Sequence, residues 1–386
     1  MHDAKRQRPV LTYLVTEDWY FLSHRLPMAI AAQRAGYDVH VATHVNESAA
    51  EIEALGFRLH PLSWRRGSLN PLRLLSIIRD IRRIYREHSP DIVHHVALQP
   101  AIIGSLAGLG LPIVRLNALA GLGYGFTSQS IKAQILRPLL TLLLRLLLNS
   151  KRADVLVQNP DDRAAVLALG IRPERIFLIP GSGVDTGHLR SLPEPHEPII
   201  VAYMGRLLDD KGLRALITAH DILNKRGETI RLRIGGEADP ANPASIAAVE
   251  IETWKQRSGV EVLGHIDDIA KFWASAHIAV LPSRREGLPK SLLEAAACGR
   301  PIVATDVPGC REIARQDINA LLVPVDDAPA LAEALARLAH DKALRQRFGE
   351  AGRRLAENEF SAERIGVQIV ALYDRLLGRG ATARGA

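Results

Sequence analysis

Cysteine is nearly absent from this sequence: Cys298 and Cys310 are the only two among 386 residues. Two thiols without zinc-ligand spacing exclude a disulfide scaffold and a cysteine-based zinc module, and make a reducing compartment the expectation. Aromatic residues are scarce as well, at 5%. With no zinc finger and no RNA-binding aromatic motif, nucleic acid is not an expected partner. No uncharged apolar run reaches the roughly 18 residues that a membrane-spanning helix needs. The charged stretch Met1–Pro9 is followed only by a strand-sized apolar run, Val10–Val15, so no signal peptide is expected. The glycine signatures of common nucleotide sites are missing too. There is no G-x-x-x-x-G-K-[ST], and Gly121-Leu122-Gly123-Tyr124-Gly125 fails the G-x-G-x-x-G spacing. No Asp-x-Asp occurs anywhere.

What is present is an ordinary globular composition, 47% hydrophobic and 24% charged, at a length that points to two domains. Short β-rich apolar runs alternate with helical patterns, which predicts α/β domains with parallel sheets. The strand candidates of the first half are Val10–Thr16, Val39–Thr43, Ile92–Val96, Ile113–Asn117, Val155–Asn159 and Ile176–Ile179, with helices such as Ser23–Ala35 and Asn70–Glu87 between them. Leu192-Pro193-Glu194-Pro195-His196-Glu197-Pro198 can continue neither a helix nor a central strand and reads as a linker. The alternation restarts with Ile199–Met204, Ile230–Ile234, Val260–Leu263, Ile278–Pro282, Ile302–Thr305 and Leu321–Pro324. The expected organisation is therefore two doubly wound domains, 1–192 and 199–360, facing a cleft. Charge divides along the same line: residues 1–190 carry 23 Lys+Arg against 15 Asp+Glu, and residues 191–386 carry 26 against 27. Different partners are expected for the two halves.

Ligands of such sheets bind beyond the carboxyl ends of strands, so the loops after strands carry the chemistry. Ser283-Arg284-Arg285-Glu286-Gly287-Leu288-Pro289-Lys290-Ser291-Leu292-Leu293-Glu294 follows one strand and opens a helix at Pro289. The backbone amides of Gly287, Leu288, Lys290 and Ser291 would point at an anionic ligand. Glu286 and Glu294 are about 80° apart in helical projection, so both carboxylates can border one pocket. The second segment is Gly205-Arg206-Leu207-Leu208-Asp209-Asp210-Lys211-Gly212, again directly after a strand. Gly205 permits close backbone approach, Arg206 can grip a phosphate with two donors, and Lys211 adds a point charge. Taken singly each loop reads equally as a solvated turn. Two of them at matching places in one sheet are better explained by one diphosphate held between them.

Together these segments resemble the retaining glycosyltransferases of family 4, which have the two-Rossmann GT-B fold. Gly205–Gly212 is similar to that family's G-R-x-x-x-x-K-G loop, and Glu286 to Glu294 to its E-x7-E motif. Ile179–Asp185 is similar to the P-N-G-V-D stretch, with Ser182 where that family has Asn, and Thr305–Glu312 to its P-G/G-G-x-x-E segment. The resemblance implies that Arg206 and Lys211 bind the donor diphosphate, that Glu286 faces the donor sugar and that Glu294 binds the ribose. His265 and Ile266 would lie near the base. It further implies that the donor is UDP-linked and that residues 361–378 form a helix crossing back to the first domain. Glu17-Asp18-Trp19 and Gly121–Tyr124 look like a bacterial subgroup that extends polyprenyl-diphosphate-linked sugars, the N-acetylgalactosaminyltransferases of surface polysaccharide synthesis.

In the first half, Glu17, Asp18, His95, Asn117 and Tyr124 lie at or beyond strand ends and are candidates for acceptor contact; capping acids and core histidines are the alternatives. Leu139–Leu148 holds eight leucines in ten residues, and Arg137, Arg145, Lys151 and Arg152 share one arc of the helix. That pattern fits an interfacial helix on an anionic membrane over Ile131–Arg152; the alternative is a helix packed on the sheet. The expectation is then a glycosyltransferase on the cytoplasmic face of the membrane, using a nucleotide sugar and a lipid-linked saccharide. It would need neither metal nor cofactor, because Arg206, Lys211 and a helix end stabilise the leaving diphosphate. A nucleotide-sugar epimerase or hydrolase, or a non-catalytic sugar-binding subunit, are the other readings.

Overall fold

The computed structural model describes residues 8–64, 71–119, 131–240 and 242–379. Two compact units emerge, the chain passing from the first to the second at Ser182/Gly183 and returning at Ala362/Glu363. The first unit runs β1 (Val10–Glu17), α1 (Asp18–His24), α2 (Leu26–Arg34), β2 (Asp38–His44), α3 (Ala49–Ala54), β3 (Arg58–Pro61), α4 (Pro71–His88), β4 (Ile92–Val96), α5 (Leu98–Ala107), β5 (Val114–Leu119), α6 (Ile131–Leu148), β6 (Ala153–Val157), α7 (Pro160–Ala168) and β7 (Ile176–Leu178). Its seven strands are parallel, ordered β3-β2-β1-β4-β5-β6-β7. Val10–Val15 is buried throughout, as a parallel strand covered by helices on both faces must be.

The sequence reading places no strand at Arg58–Pro61. These residues are exposed or half-buried and pair only with β2 at the sheet edge, so they carry no apolar run. The helix expected over Ser23–Ala35 is two helices, α1 and α2, broken at Arg25.

The second unit follows as β8 (Ile199–Met204), α8 (Leu213–Lys225), β9 (Ile230–Gly235), α9 (Ala248–Lys255), β10 (Val260–Gly264), α10 (Ile269–Ala274), β11 (Ile278–Leu281), α11 (Lys290–Ala297), β12 (Ile302–Thr305), α12 (Cys310–Ile313), β13 (Ala320–Val323), α13 (Ala328–His340) and α14 (Lys342–Glu359). Its six parallel strands are ordered β10-β9-β8-β11-β12-β13. Both units are thus doubly wound, and the α/β, Rossmann-type reading holds. Helix starts were written in the sequence as acids. Asp268, Asp327 and Asp341 accept the amides of Lys271, Ala330 and Leu344, satisfying donors that lack a helical partner.

The Pro-rich segment 192–198, expected to separate the domains, lies within the second unit. Buried Arg345 pairs with Glu194 at 2.8 Å, buried Arg300 donates to the Leu192 and Pro193 carbonyls, and His277 Nε2 lies 3.0 Å from the Pro195 carbonyl. Proline stops secondary structure without deciding which body the chain packs on; here buried arginines decide it.

The last helix, α15 (Ala362–Leu376), joins the first unit from Glu363 onward. Ile365, Ile369, Leu372 and Tyr373 share a core cluster with Leu11, Tyr13 and Met28. The Tyr373 hydroxyl lies 2.8 Å from the Tyr13 hydroxyl and 2.7 Å from His94 Nδ1, so buried polar groups fix its register. On α6, Leu144, Leu147 and Leu148 are buried while Leu139, Leu142 and Leu146 are 65, 54 and 64% exposed. The helix therefore packs on the sheet by one face and presents leucine on another. Among the described residues, no helix is long and apolar enough to cross a membrane.

Candidate functional site

Strand order in the second sheet reverses between β8 and β11, which pair directly through Val201 with Ile278 and Ala202 with Ala279. The loops after these two strands are Gly205–Gly212 and Ser283–Pro289, the two segments singled out by spacing. Lys211 Nζ donates to Glu286 Oε1 at 2.7 Å, and Ser283 Oγ donates to the same oxygen at 2.6 Å. Both charged side chains are largely enclosed, with 18 and 10% exposure for Lys211 and Glu286. The close approach has a backbone cause. Gly212 has φ +70°, and a Cβ there would run into the Pro282 carbonyl oxygen.

Sequence reasoning missed the bonds that lock these turns together. Arg284 Nη1 donates to Asp209 Oδ2 at 2.8 Å, Arg284 N donates to the Asp210 carbonyl at 2.8 Å, and Arg284 Nε lies 2.8 Å from Asp326 Oδ2. The readable signal was charge complementarity, the acidic pair Asp209-Asp210 against the basic pair Arg284-Arg285. The loop after β12 props the turn from a third side. Thr305 Oγ1 donates to the Ser283 carbonyl, and Gly309, at φ +79°, lies against the Glu286 and Gly287 carbonyls.

Arg206 is paired with Asp239 Oδ2 at 2.9 Å, an acid from the loop after β9 that the sequence reading did not include. Its signal was the Gly235-Gly236 pair at a strand end: the Gly236 backbone lies against the Gly205 carbonyl, where no Cβ would fit. Pro289 precedes α11 as its N-cap rather than as its first residue. The amides of Lys290 and Ser291 begin the helix ahead of its internal hydrogen-bond ladder. Pro289 is buried, and Gly287 and Leu288 are half-buried. Glu294 is buried inside α11 with Lys290 Nζ 3.3 Å away. Burial raises its pKa, against the opposing pull of Lys290. His265 and Ile266 follow β10, two strands from β8. His265 is exposed, 3.4 Å from Asp267, and Ile266 packs toward Gly235.

The described first-unit candidates, Glu17 apart, are buried. Asp18 is fully buried and accepts from the amides of Trp19, Asn46 and Ser48 and from Asn46 Nδ2. Burial alone would raise its pKa; these donors outweigh burial and hold it below the ordinary value. Its carboxylate organises the loop after β2. His95 and Asn117 are likewise fully buried. His95 Nδ1 lies 2.8 Å from Asn117 Oδ1 and Nε2 lies 2.9 Å from the Tyr85 hydroxyl. Ser105 Oγ donates to Asn117 Oδ1 at 3.1 Å, and Asn117 Nδ2 donates to the Asp154 carbonyl at 3.1 Å. Burial pushes the His95 imidazole down to about 4. Both side chains are spent joining β4, β5 and α5. Glu17 remains half-buried at the end of β1, accepting from Asn46 Nδ2 at 3.0 Å. Tyr124 lies outside the described residues.

Two family models match the chain: "Glycosyl transferase 4-like" over residues 11–159 and "Glycosyl transferases group 1" over residues 198–341. The chain belongs to the group 1, family-4-like glycosyltransferases. Over 92% of its length it is 25% identical to 98% of an N,N'-diacetylbacillosaminyl-diphospho-undecaprenol alpha-1,3-N-acetylgalactosaminyltransferase of Campylobacter jejuni. It is 28% identical over 47% of its length to the capsular polysaccharide biosynthesis glycosyltransferase CapM of Staphylococcus aureus, spanning about half (47%) of that relative. The solved structure of Anabaena Alr3699/HepE in complex with UDP and glucose matches 94% of this glycosyltransferase and 99% of its own chain, at TM-score 0.78 and 17% identity. That likeness speaks to the fold, two doubly wound domains of the GT-B type.

Proposed function

We propose that this glycosyltransferase moves a hexose or N-acetylhexosamine, with retention, from a UDP-linked donor to a polyprenyl-diphosphate-linked saccharide in bacterial surface polysaccharide synthesis. One observation carries the reading: the Lys211 ammonium and the Glu286 carboxylate, from the loops after β8 and β11, meet at 2.7 Å at the switch point of the second sheet. A cation and a helix start there suit a departing diphosphate, and an acid beside them suits the sugar that departs from it. Transfer breaks the anomeric C–O bond to the diphosphate and forms one to the acceptor oxygen on the same face. The acceptor proton goes to the leaving diphosphate. Arg206 would exchange Asp239 for a phosphate oxygen, Lys211 would supply fixed charge, and Glu286 would orient the sugar and favour positive charge on its ring. Glu294, inside the same helix, is assigned to the ribose.

The absence of Asp-x-Asp and the presence of these cations support metal-independent transfer. The acceptor assignment is supported by the undecaprenol-linked substrate in the name of the Campylobacter relative, and UDP by the bound nucleotide of the Anabaena protein. The exposed leucines of α6, with exposed Arg145, Lys151 and Arg152, support docking on the anionic inner face of the membrane.

A panel of nucleotide sugars, screened by thermal shift and then by nucleotide release with a polyprenyl-diphosphate sugar, tests the reading. The expected result is a melting point raised by one UDP-sugar through mass action, and release only with acceptor. Equal donor turnover without acceptor would replace transfer by hydrolysis or epimerisation.

A further inference from the structure

The first unit contains a cluster that the transfer reaction does not use. His40 from β2, His60 from β3 and His88 at the last residue of α4 each offer a ring nitrogen, and these atoms all lie within 4.8 Å of one another. His40 is fully buried, and the other two are half-buried. His60 Nε2 lies 3.0 Å from His40 Nδ1. The three rings pack together, with centroid separations of 5.0, 5.3 and 4.4 Å. His40 Nε2 is buried without a hydrogen-bond partner among the described residues; Asp38 Oδ2, the acid near it, is 3.5 Å away.

We propose that His40, His60 and His88 form a binding site for a borderline divalent transition-metal ion, of which Zn²⁺ is the physiological candidate. Nitrogens held about 2.0–2.1 Å from a tetrahedral zinc lie roughly 3.3 Å apart. The His40–His60 pair is already within about 0.3 Å of that edge, and His88, at a helix end, draws in by side-chain rotation. Coordination through Nδ1 of His40 leaves its Nε2–H directed toward Asp38, the carboxylate–imidazole–metal relay that orients ligating histidines. Three imidazoles without a carboxylate in the set select zinc, nickel or copper over magnesium or calcium, which require oxygen. Water completes the fourth position.

The site has a structural task. His40 is the third residue of β2, and His88 ends α4 shortly before β4 begins. His40 and His88 therefore lie toward the amino ends of β2 and β4, away from the carboxyl-end loops where ligands of such sheets bind, and His60 is the third of the four residues of β3. An ion there ties the short edge strand β3 and the end of α4 to β2, closing long loops of chain at once. No motif spacing announces it, because strand pairing brings His40 and His60 together and the end of α4 adds His88.

The test uses the full chain without an affinity tag, stripped with chelator and titrated with Zn²⁺ by calorimetry, with melting curves in parallel. One equivalent is expected to bind and to raise the melting temperature. H88Q, at a half-buried helix end, and H60Q are each expected to weaken binding by more than the roughly 10–100-fold that loss of an outer partner costs. Their melting curves in chelator should match the parent. D38N should weaken binding by about tenfold. No saturable binding to the parent, or one-equivalent binding that survives both H60Q and H88Q, overturns the proposal.

Discussion

The two sheets end differently at the places where strand order reverses. In the second unit the loops after β8 and β11 carry Lys211, Glu286, Arg284 and Asp209, partly open charged groups joined across the switch point. In the first unit the polar groups at the ends of β1, β4 and β5, namely Asp18, His95 and Asn117, are fully buried and bonded to their own scaffold. One end joins charged groups from two loops to each other; the other bonds its polar residues into its own walls. If that contrast is functional, substitutions at the first end should act on turnover, and those at the second on stability.

The largest expected effect is Lys211→Ala. Removing one preorganised donor to a developing charge typically costs about 100- to 1,000-fold in kcat. Steady-state turnover with the donor identified by thermal shift checks this, and a drop of less than about fivefold would break the contrast. Gly212→Ala comes next and acts by a different route. A left-handed conformation costs a side chain about 1–2 kcal/mol, and its Cβ would push the β11 turn off Lys211. A lowered urea midpoint together with lost activity is the expected pair.

That difference between the ends also governs what the sequence could reveal. The β8 and β11 loops are contiguous stretches whose glycine, cation and acid spacing survive as text, so Lys211 and Glu286 could be singled out before any fold was known. Asn117 could not be judged that way. Its partners, His95, Ser105 and Asp154, come from β4, α5 and β6, and a polar side chain near a strand end looks alike in sequence whether it faces inward or outward. The strand runs themselves were legible because buried parallel strands are uniformly apolar, whereas β3, exposed at an edge, carried no such pattern. The Pro-rich segment misled for a related reason: Arg300 and Arg345, which bind it to the second unit, are more than a hundred residues away.

Asn117→Ala tests the buried end directly. It leaves His95 and Ser105 without their acceptor, and an unsatisfied buried polar group costs about 1–3 kcal/mol. Denaturant titration should show that loss, with kcat and acceptor KM of the folded fraction unchanged. A raised acceptor KM at unchanged stability would return Asn117 to the acceptor site and erase the distinction between the two ends.

Asp18→Asn is expected to match Asn117→Ala in size at pH 7 and to fade in acid, which makes it the most discriminating in pH. The carboxyl is held below its ordinary value of 3.8 because the donors from Asn46, Ser48 and Trp19 outweigh the cost of burial. The unfolded chain therefore binds the proton more tightly than the folded one, and ionised Asp18 contributes stability that is fully present above the ordinary value. That contribution falls away as the pH drops from about 4 toward the depressed folded value. Asparagine does not titrate in this range, so the parent should exceed the variant by about 1–3 kcal/mol at pH 7, and the gap should close across the acid window. Urea midpoints at pH 7, 5 and 3 measure it. A gap that stays constant with pH would mean that Asp18 holds the loop after β2 by shape alone, and that its charge is available for a ligand after all.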